Sequence, residues 1–159
     1  MSSVPDRFNA FRIHNDEEGY RSGIESVALE DLSKGEVIVE VSWSGINFKD
    51  ALAATGKGKI LRRYPLCGGI DVAGTVVESA VEHFQPGDLV FANGSGLSEK
   101  MDGGYSRYLR LPEEIVMALP AGLSPREAMG LGTAGFTAAL SLWRMEANGQ
   151  TPAMGPVLV

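Results

Sequence analysis

The sequence has few of the residues that build disulfide-rich or metal-cluster proteins. It contains one cysteine, Cys67, and two histidines in 159 residues. A single cysteine excludes an internal disulfide framework and a zinc site made of clustered cysteines. His14 and His83 have no ligand-like spacing, which favours surface or turn positions over metal binding. The cysteine count fits a reducing compartment, so we expect a cytoplasmic protein.

Basic charge and long apolar runs are also scarce. The chain has 14 Lys and Arg against 20 Asp and Glu, a net charge of −6. A general nucleic-acid-binding protein is normally basic, so that class is disfavoured. No apolar run approaches the ~20 residues that a membrane-spanning helix needs. We therefore expect a globular protein with neither nucleic acid nor membrane as a partner.

One segment reverses the acidic balance. Residues 49–63 contain a single acid, Asp50, and five bases: Lys49, Lys57, Lys59, Arg62 and Arg63. A basic segment in an acidic protein attracts phosphorylated ligands. The alternative is an ordinary solvated loop, and the charge pattern by itself leaves both readings open.

The first 123 residues have the pattern of short strands. Val37, Val39, Val41 and Trp43 alternate with more polar neighbours, which predicts a strand over 36–44 with one buried face. Further strands are expected over 8–14, 23–29, 69–81, 88–92, 105–111 and 115–119. Residues 47–55 have helical spacing. Short strands at these intervals predict a compact β-barrel with few short helices.

The pattern changes at Ser124. Ser124, Pro125 and Glu127 form a capping-box signature, and apolar residues at helical spacing follow to residue 145, with glycines at 130, 132 and 135 expected to split the helix. The sequence at 156–159 is typical of the opening of a buried parallel strand. We therefore expect two regions: a β domain over 1–123, and over 124–159 the first helices and strand of a truncated α/β domain.

The glycines at 130, 132 and 135 also match the spacing of a dinucleotide-binding fingerprint. That fingerprint follows a strand and opens a helix, whereas this one follows a capped helix. It is therefore not interpreted as a phosphate-binding turn. The alternatives for these glycines are close approach to a ligand and close packing of helices.

Three motifs resemble the medium-chain dehydrogenase/reductase superfamily, whose members join a GroES-like barrel to a Rossmann domain. They are Ser-Gly-Ile-Asn-Phe-Lys-Asp at 44–50, Gly-Ile-Asp-Val-Ala-Gly at 69–74 and Pro-Gly-Asp-Leu-Val at 86–90. Zinc-dependent members have Cys and His where this chain has Asn47 and Ile70. The resemblance is therefore to the zinc-free, quinone-oxidoreductase-like branch. Residues 47–60 and 132–138 narrow it to the acrylyl-CoA reductase and quinone oxidoreductase family.

This resemblance implies an NADPH-dependent enzyme that transfers hydride to an α,β-unsaturated thioester or ketone, with NADP(H) as cofactor and no zinc. The implied catalytic residues are Asn47, Lys49 and Asp50. Implied contacts to the cofactor are Phe48, Thr133, Gly135 and Thr137, and implied contacts to substrate phosphates are Lys59, Arg62 and Arg63. For Phe48 the alternative is plain packing in its helix.

Three functions remain open at the level of sequence: an enoyl-CoA reductase, a quinone reductase, and a non-catalytic barrel used for binding or assembly. The motif over 47–60 argues against the last. The expected partners are a small-molecule enoyl-CoA or quinone and, in a full-length member, a second copy in a homodimer. The 159-residue chain by itself is expected to be inactive, because it contains no strand followed by a phosphate-binding turn.

Overall fold

A computed structural model describes residues 4–158 of the chain. Eight strands and two helices follow one another in a mainly-β order, as the sequence predicts. The strands are β1 Phe8–Asp16, β2 Gly19–Val27, β3 Val37–Trp43, β4 Leu66–Cys67, β5 Asp71–Ser79, β6 Leu89–Asn93, β7 Tyr108–Leu111 and β8 Met117–Ala118. The helices are α1 Phe48–Thr55 and α2 Pro125–Ala147, and short 3₁₀ turns lie at Leu29–Asp31, Glu113–Ile115 and Pro152–Met154.

The strands form two antiparallel sheets. One has three strands in the order β2-β1-β4, and the other has five in the order β7-β3-β5-β6-β8. Backbone hydrogen bonds from Phe11 to Tyr105 and from Arg107 to Asn9 join β1 to the segment before β7. The largest cluster of buried apolar side chains comes from the five-stranded sheet and its connections, and includes Val37, Val39, Val72, Val90 and Leu109.

Strand β3 departs from the predicted alternation near both ends. Val37 and Val39 are buried as expected, but Ile38 on the other face is buried too, and Trp43 is 48% exposed. Pairing with β7 stops at Glu40, so the last residues of β3 have one neighbouring strand instead of two. The guanidinium of Arg126 lies 5.7 Å from the centre of the Trp43 ring.

Helix α2 begins as its sequence predicts and is split into two pieces, as expected, with the break at Gly132. The Ser124 side chain accepts from the backbone N–H of Glu127, while the Glu127 carboxylate accepts from Ser124 in return. Gly132 has φ 50° and ψ −158°, a conformation that L side chains rarely adopt, and it divides the helix into two pieces. The second piece leaves its large apolar residues exposed, among them Phe136, Leu140, Leu142 and Trp143.

The strand expected near the end of the sequence is absent from the described residues. Residues 155–158 belong to no helix or strand and pair with no other strand, and residue 159 lies outside the described range. A parallel strand forms only within a hydrogen-bonded ladder. Among residues 4–158, no helix combines the length and hydropathy needed to cross a membrane.

Candidate functional site

A buried carboxylate collects four hydrogen-bond donors from three different elements. Asp71, the first residue of β5, is 1% exposed. Its oxygens accept from Nδ2 of Asn47 at 2.8 Å and from Nδ2 of Asn93 at 2.7 Å. They also accept from Thr133, through the backbone N–H at 3.1 Å and through Oγ1 at 2.5 Å. We call these four residues the Asp71 network.

Each member reaches the network for a local reason. Asp71 and Asn93 are direct partners in the ladder between β5 and β6. Asn47 is the N-cap of α1. Thr133 follows the kink at Gly132, where an added Cβ would lie 2.7 Å from Oδ2 of Asp71. The kink therefore allows the helix backbone to approach the carboxylate closely.

The network also determines the charge of Asp71. Burial alone raises the pKa of an aspartate. Here the hydrogen bonds from Asn93, Thr133 and Asn47 outweigh burial and hold the pKa of Asp71 below its ordinary value. Asp71 is therefore an anion at neutral pH that only accepts hydrogen bonds.

Asp50 connects helix α1 to the start of β5. One carboxylate oxygen accepts from the backbone N–H of Asn47 at 2.8 Å, and the other accepts from the backbone N–H of Ile70 at 3.0 Å. The side chain of Asn47 also donates to Asp50, at 3.3 Å. Asp50 is buried, so these contacts place Asn47 beside Asp71.

A cleft of about 650 Å³ opens beside the network. Its lining includes Asn93, and three residues that the sequence predicts to contact cofactor: Thr133, Gly135 and Thr137. The fourth, Phe48, is not part of this lining, and it is 80% exposed. Simple packing of Phe48 in its helix therefore does not describe its environment.

Two of the basic residues in 49–63 form ion pairs with the same carboxylate, that of Glu99. Lys49 Nζ lies 2.7 Å from Glu99, and Nε of Arg62 lies 3.6 Å from the same carboxylate. The Lys49 ammonium holds the pKa of Glu99 below its ordinary value. The partner of Lys49 is therefore Glu99.

Arg63 has a different environment from Arg62. Its guanidinium donates to the backbone oxygen of Lys100 at 2.9 Å and to Oγ of Ser33, and it lies 3.9 Å from the buried carboxylate of Asp102. Lys59 is exposed and makes no ion pair with any residue in the range 4–158. Of the three predicted phosphate contacts, Lys59 and Arg62 are thus the more accessible.

Comparison with known proteins identifies the fold that carries this site. A family model described as alcohol dehydrogenase GroES-like domain matches residues 33–121. The chain belongs to this family. The predicted relation to the medium-chain dehydrogenase/reductases is confirmed, as is the mainly-β GroES-like architecture.

Two relatives and two solved structures illustrate the similarity. The chain is 45% identical over 152 residues to YhfP of Bacillus subtilis, named as a quinone oxidoreductase, with 96% of this chain and 46% of YhfP covered. It is 43% identical over 154 residues to the acrylyl-CoA reductase AcuI of Ruegeria pomeroyi, with 96% and 47% covered. The chain thus spans about half the length of the curated relatives it matches.

The structures are similar over the same region. The yhdH oxidoreductase from Salmonella enterica, solved in complex with NADP, has a TM-score of 0.88 and 41% identity, covering 92% of this chain and 45% of that one. B. subtilis yhfP, solved with NAD bound, has a TM-score of 0.87 and 44% identity, covering 95% and 46%. Both structural neighbours therefore hold a nicotinamide dinucleotide.

The positions that correspond to zinc ligands do not fit a metal in this member of the GroES-like family. The amide of Asn47 directs its N–H groups at two carboxylates, and Ile70 has an apolar side chain. Neither is a zinc ligand of the usual kind. Within the described range, no group of three or more His, Cys, Asp or Glu is placed to hold a metal ion.

Sequence reasoning missed Asp71, Asn93 and Glu99. A signal for Asp71 existed, because it is the one charged residue in the otherwise small and apolar stretch 68–77. Asn93 ends β6, and Glu99 lies in the polar loop that follows. Polar residues are common at such positions, so no local pattern distinguishes these two.

Proposed function

We propose that this chain is the substrate-side part of an NADPH-dependent oxidoreductase that reduces the C=C bond of an α,β-unsaturated acyl-CoA such as acrylyl-CoA, without zinc. The observation that carries the proposal is the convergence of Asn47 and Thr133, two predicted site residues, on the Asp71 network beside an open cleft. Similarity to an acrylyl-CoA reductase over nearly the whole chain supports the substrate class.

The proposed division of the chain is that residues 1–123 form the catalytic domain and residues 124–159 begin a nucleotide-binding domain. Its support is the apolar surface of α2 beyond Gly132, where Phe136, Leu140 and Trp143 are exposed. Large apolar side chains on one helix are typical of a face that packs against another part of a protein.

The cofactor would bind along the cleft at Thr133, Gly135 and Thr137, with Phe48 at the nicotinamide side. NADPH bound there would supply a hydride to the β-carbon of the substrate. The electron pair of the C=C bond would then move toward the thioester oxygen, and a proton from solvent would be added at the α-carbon. A cation or hydrogen-bond donor near that oxygen lowers the barrier by stabilising the developing negative charge.

Lys49 is the proposed donor to that oxygen. Its ammonium is partly exposed and is held at its present position by Glu99. Asp50 uses both carboxylate oxygens within the protein, so we assign it a positioning role toward Asn47. Lys59 and Arg62 are the proposed contacts to the phosphates of coenzyme A.

A quinone reductase is the second candidate. Glu99 already neutralises part of the charge of Lys49 and Arg62, and a small quinone needs no anion site. The similarity to YhfP supports this alternative.

The experiment that separates the two candidates uses the natural full-length protein. NADPH oxidation is followed with acrylyl-CoA and with a small quinone, and propionyl-CoA is identified by mass spectrometry. We expect turnover of the thioester, and a loss of about 10²-fold in kcat for Lys49→Ala, the magnitude typical of one lost transition-state donor. Lys34→Ala, a change of another exposed lysine, is the matched control and should keep wild-type kinetics.

Turnover of the quinone alone would favour the second candidate. If neither substrate supports NADPH oxidation, both candidate functions are contradicted. The absence of zinc is tested separately by elemental analysis of protein purified without added metal. Zinc at one equivalent per chain would refute that part of the proposal.

A further inference from the structure

Most hydrogen-bond donors around Asp71 are committed to the protein; the exception within residues 4–158 is the second amide hydrogen of Asn93, whose first is given to Asp71. An aspartate anion has no hydrogen to give, so every group within hydrogen-bond distance must supply one. Asn47 therefore turns its NH₂ group toward Asp71, and the second hydrogen of that group points to Asp50. Its carbonyl Oδ1 remains, because the backbone N–H of Asp50 donates to the backbone oxygen of Asn47 and not to its side chain. Asn47 lies next to the cleft through Asp71 and is not itself part of the lining.

The hydroxyl groups that line the cleft also donate their hydrogens to protein oxygens. Three hydroxyl-bearing residues line it within the described range: Ser95, Thr133 and Thr137. Ser95 donates to the backbone oxygen of Asn93 at 3.1 Å, and Thr133 donates to Asp71 at 2.5 Å. Thr137 donates to the backbone oxygen of Thr133 at 2.7 Å. A hydroxyl has one hydrogen, so each of these oxygens is left with acceptor lone pairs only.

We propose that Asp71 is a positioning residue that turns its neighbours' donors inward, so that the cleft wall presents acceptor oxygens and recognises a ligand group carrying N–H or O–H donors. This inference rests on the proposed function. In a nicotinamide nucleotide the groups of that chemistry near the reacting ring are the primary carboxamide and the ribose hydroxyls.

A second consequence concerns the developing negative oxygen of the substrate. Acceptor oxygens repel such an atom, so neither Asn47 nor Thr133 can stabilise it in this arrangement. The donor must come from another group, and Lys49 is a cation one residue beyond Phe48 in the same helix. Asn47 and Lys49 therefore have different tasks, although the sequence places them in one motif.

The test measures binding of two dinucleotides to the natural full-length protein by calorimetry. One is NADP⁺, and the other is its 3-acetylpyridine analogue, which keeps the ring carbonyl but lacks the amide N–H donors. We expect wild type to bind NADP⁺ about three- to tenfold more tightly, the value of one net hydrogen bond. Asp71→Asn should lose this preference, because an amide no longer fixes the orientation of its neighbours.

The control is Asp102→Asn, which changes another buried carboxylate that lies outside the cleft lining. It should keep the wild-type preference, although it also removes a buried charge. Thr133→Ser, which keeps the hydroxyl, and Thr133→Val, which removes it, form a second pair. We expect the serine variant to bind like wild type and the valine variant to lose preference for NADP⁺. If Asp71→Asn does not fold, the comparison of Thr133→Ser with Thr133→Val tests the proposal instead.

Each outcome bears on the proposal. Loss of the preference in Asp71→Asn supports the carboxamide as the recognised group. An equal three- to tenfold loss for both dinucleotides, absent from Asp102→Asn, supports the ribose hydroxyls. Unchanged affinities in Asp71→Asn and Thr133→Val, or the same losses in Asp102→Asn, would overturn the inference while leaving the proposed function intact. No binding of either dinucleotide to wild type would overturn both.

Discussion

Arg62 and Arg63 are adjacent in the sequence, yet the structure predicts different effects when each is replaced by alanine. The Arg62 side chain is 69% exposed, and its only ion pair within residues 4–158 is the 3.6 Å contact with Glu99. Exposed pairs of this kind contribute about 0–1 kcal/mol. The backbone hydrogen bond from Arg62 to Glu99 survives the substitution. Arg62→Ala should therefore leave stability almost unchanged.

Arg63 contributes more to the fold. It donates two hydrogen bonds, to Lys100 and Ser33, and lies near the buried carboxylate of Asp102. Two hydrogen bonds at about 0.5–1.5 kcal/mol each, reduced because the side chain is half exposed, give about 1–2 kcal/mol. We expect Arg63→Ala to lower Tm by about 2–8 °C.

The order of the two variants should be reversed for kinetics, with Arg62→Ala affecting turnover of the thioester more than Arg63→Ala. If Arg62 contacts the phosphates of coenzyme A, Arg62→Ala lowers kcat/KM for acrylyl-CoA by about tenfold, the value of one solvent-weakened charge-assisted bond. Activity with a small quinone should stay the same, and added salt should reproduce the effect on the thioester.

Thermal unfolding and steady-state kinetics of both variants, measured on the natural full-length protein, test this division. Equal losses of Tm in the two variants would refute the assignment of Arg63 to the fold. Equal kinetic losses with thioester and quinone would refute the phosphate contact of Arg62.

Three further predictions concern the core and the buried acid. Gly74→Ala should destabilise the protein by about 3 kcal/mol or more, because the new Cβ would lie 2.1 Å from the backbone oxygen of Glu40. A free energy of unfolding near that of wild type, measured by chemical denaturation, would contradict this. The pKa of Asp71 is lower in the folded state than the ~3.9 of an unfolded aspartate, so its contribution to stability is complete above about pH 4 and is lost as pH falls through the folded pKa. The free energy of unfolding should therefore decrease below about pH 4 in wild type and change less in Asp71→Asn, whereas parallel curves would refute this role. Burial and the nearby Asp102 charge raise the pKa of the Cys67 thiol, so iodoacetamide should modify it only as the protein unfolds, and rapid labelling of folded protein would show that this is wrong.

Local sequence signals predicted most elements of this protein, although β2 covers Gly19–Val27 where a strand over 23–29 was expected, and β4 was not predicted. The alternation in 36–44 predicted β3, and helical spacing over 47–55 predicted α1. The capping box at Ser124 predicted the start of α2 at Pro125. These signals work because strand pleat, helix period and N-cap hydrogen bonds each depend on residues a few positions apart.

The identity of two site residues was also available from sequence, since Asn47 and Thr133 lie in motifs that resemble a known family. Their partners were decided by the tertiary structure. Asp71 is 24 positions from Asn47, 22 from Asn93 and 62 from Thr133, and Lys49 is 50 positions from Glu99. No local period relates residues so far apart in the sequence. The ladder between β5 and β6 and the kink at Gly132 bring the partners of Asp71 together. A buried carboxylate is stable only where the folded chain supplies its hydrogen-bond donors.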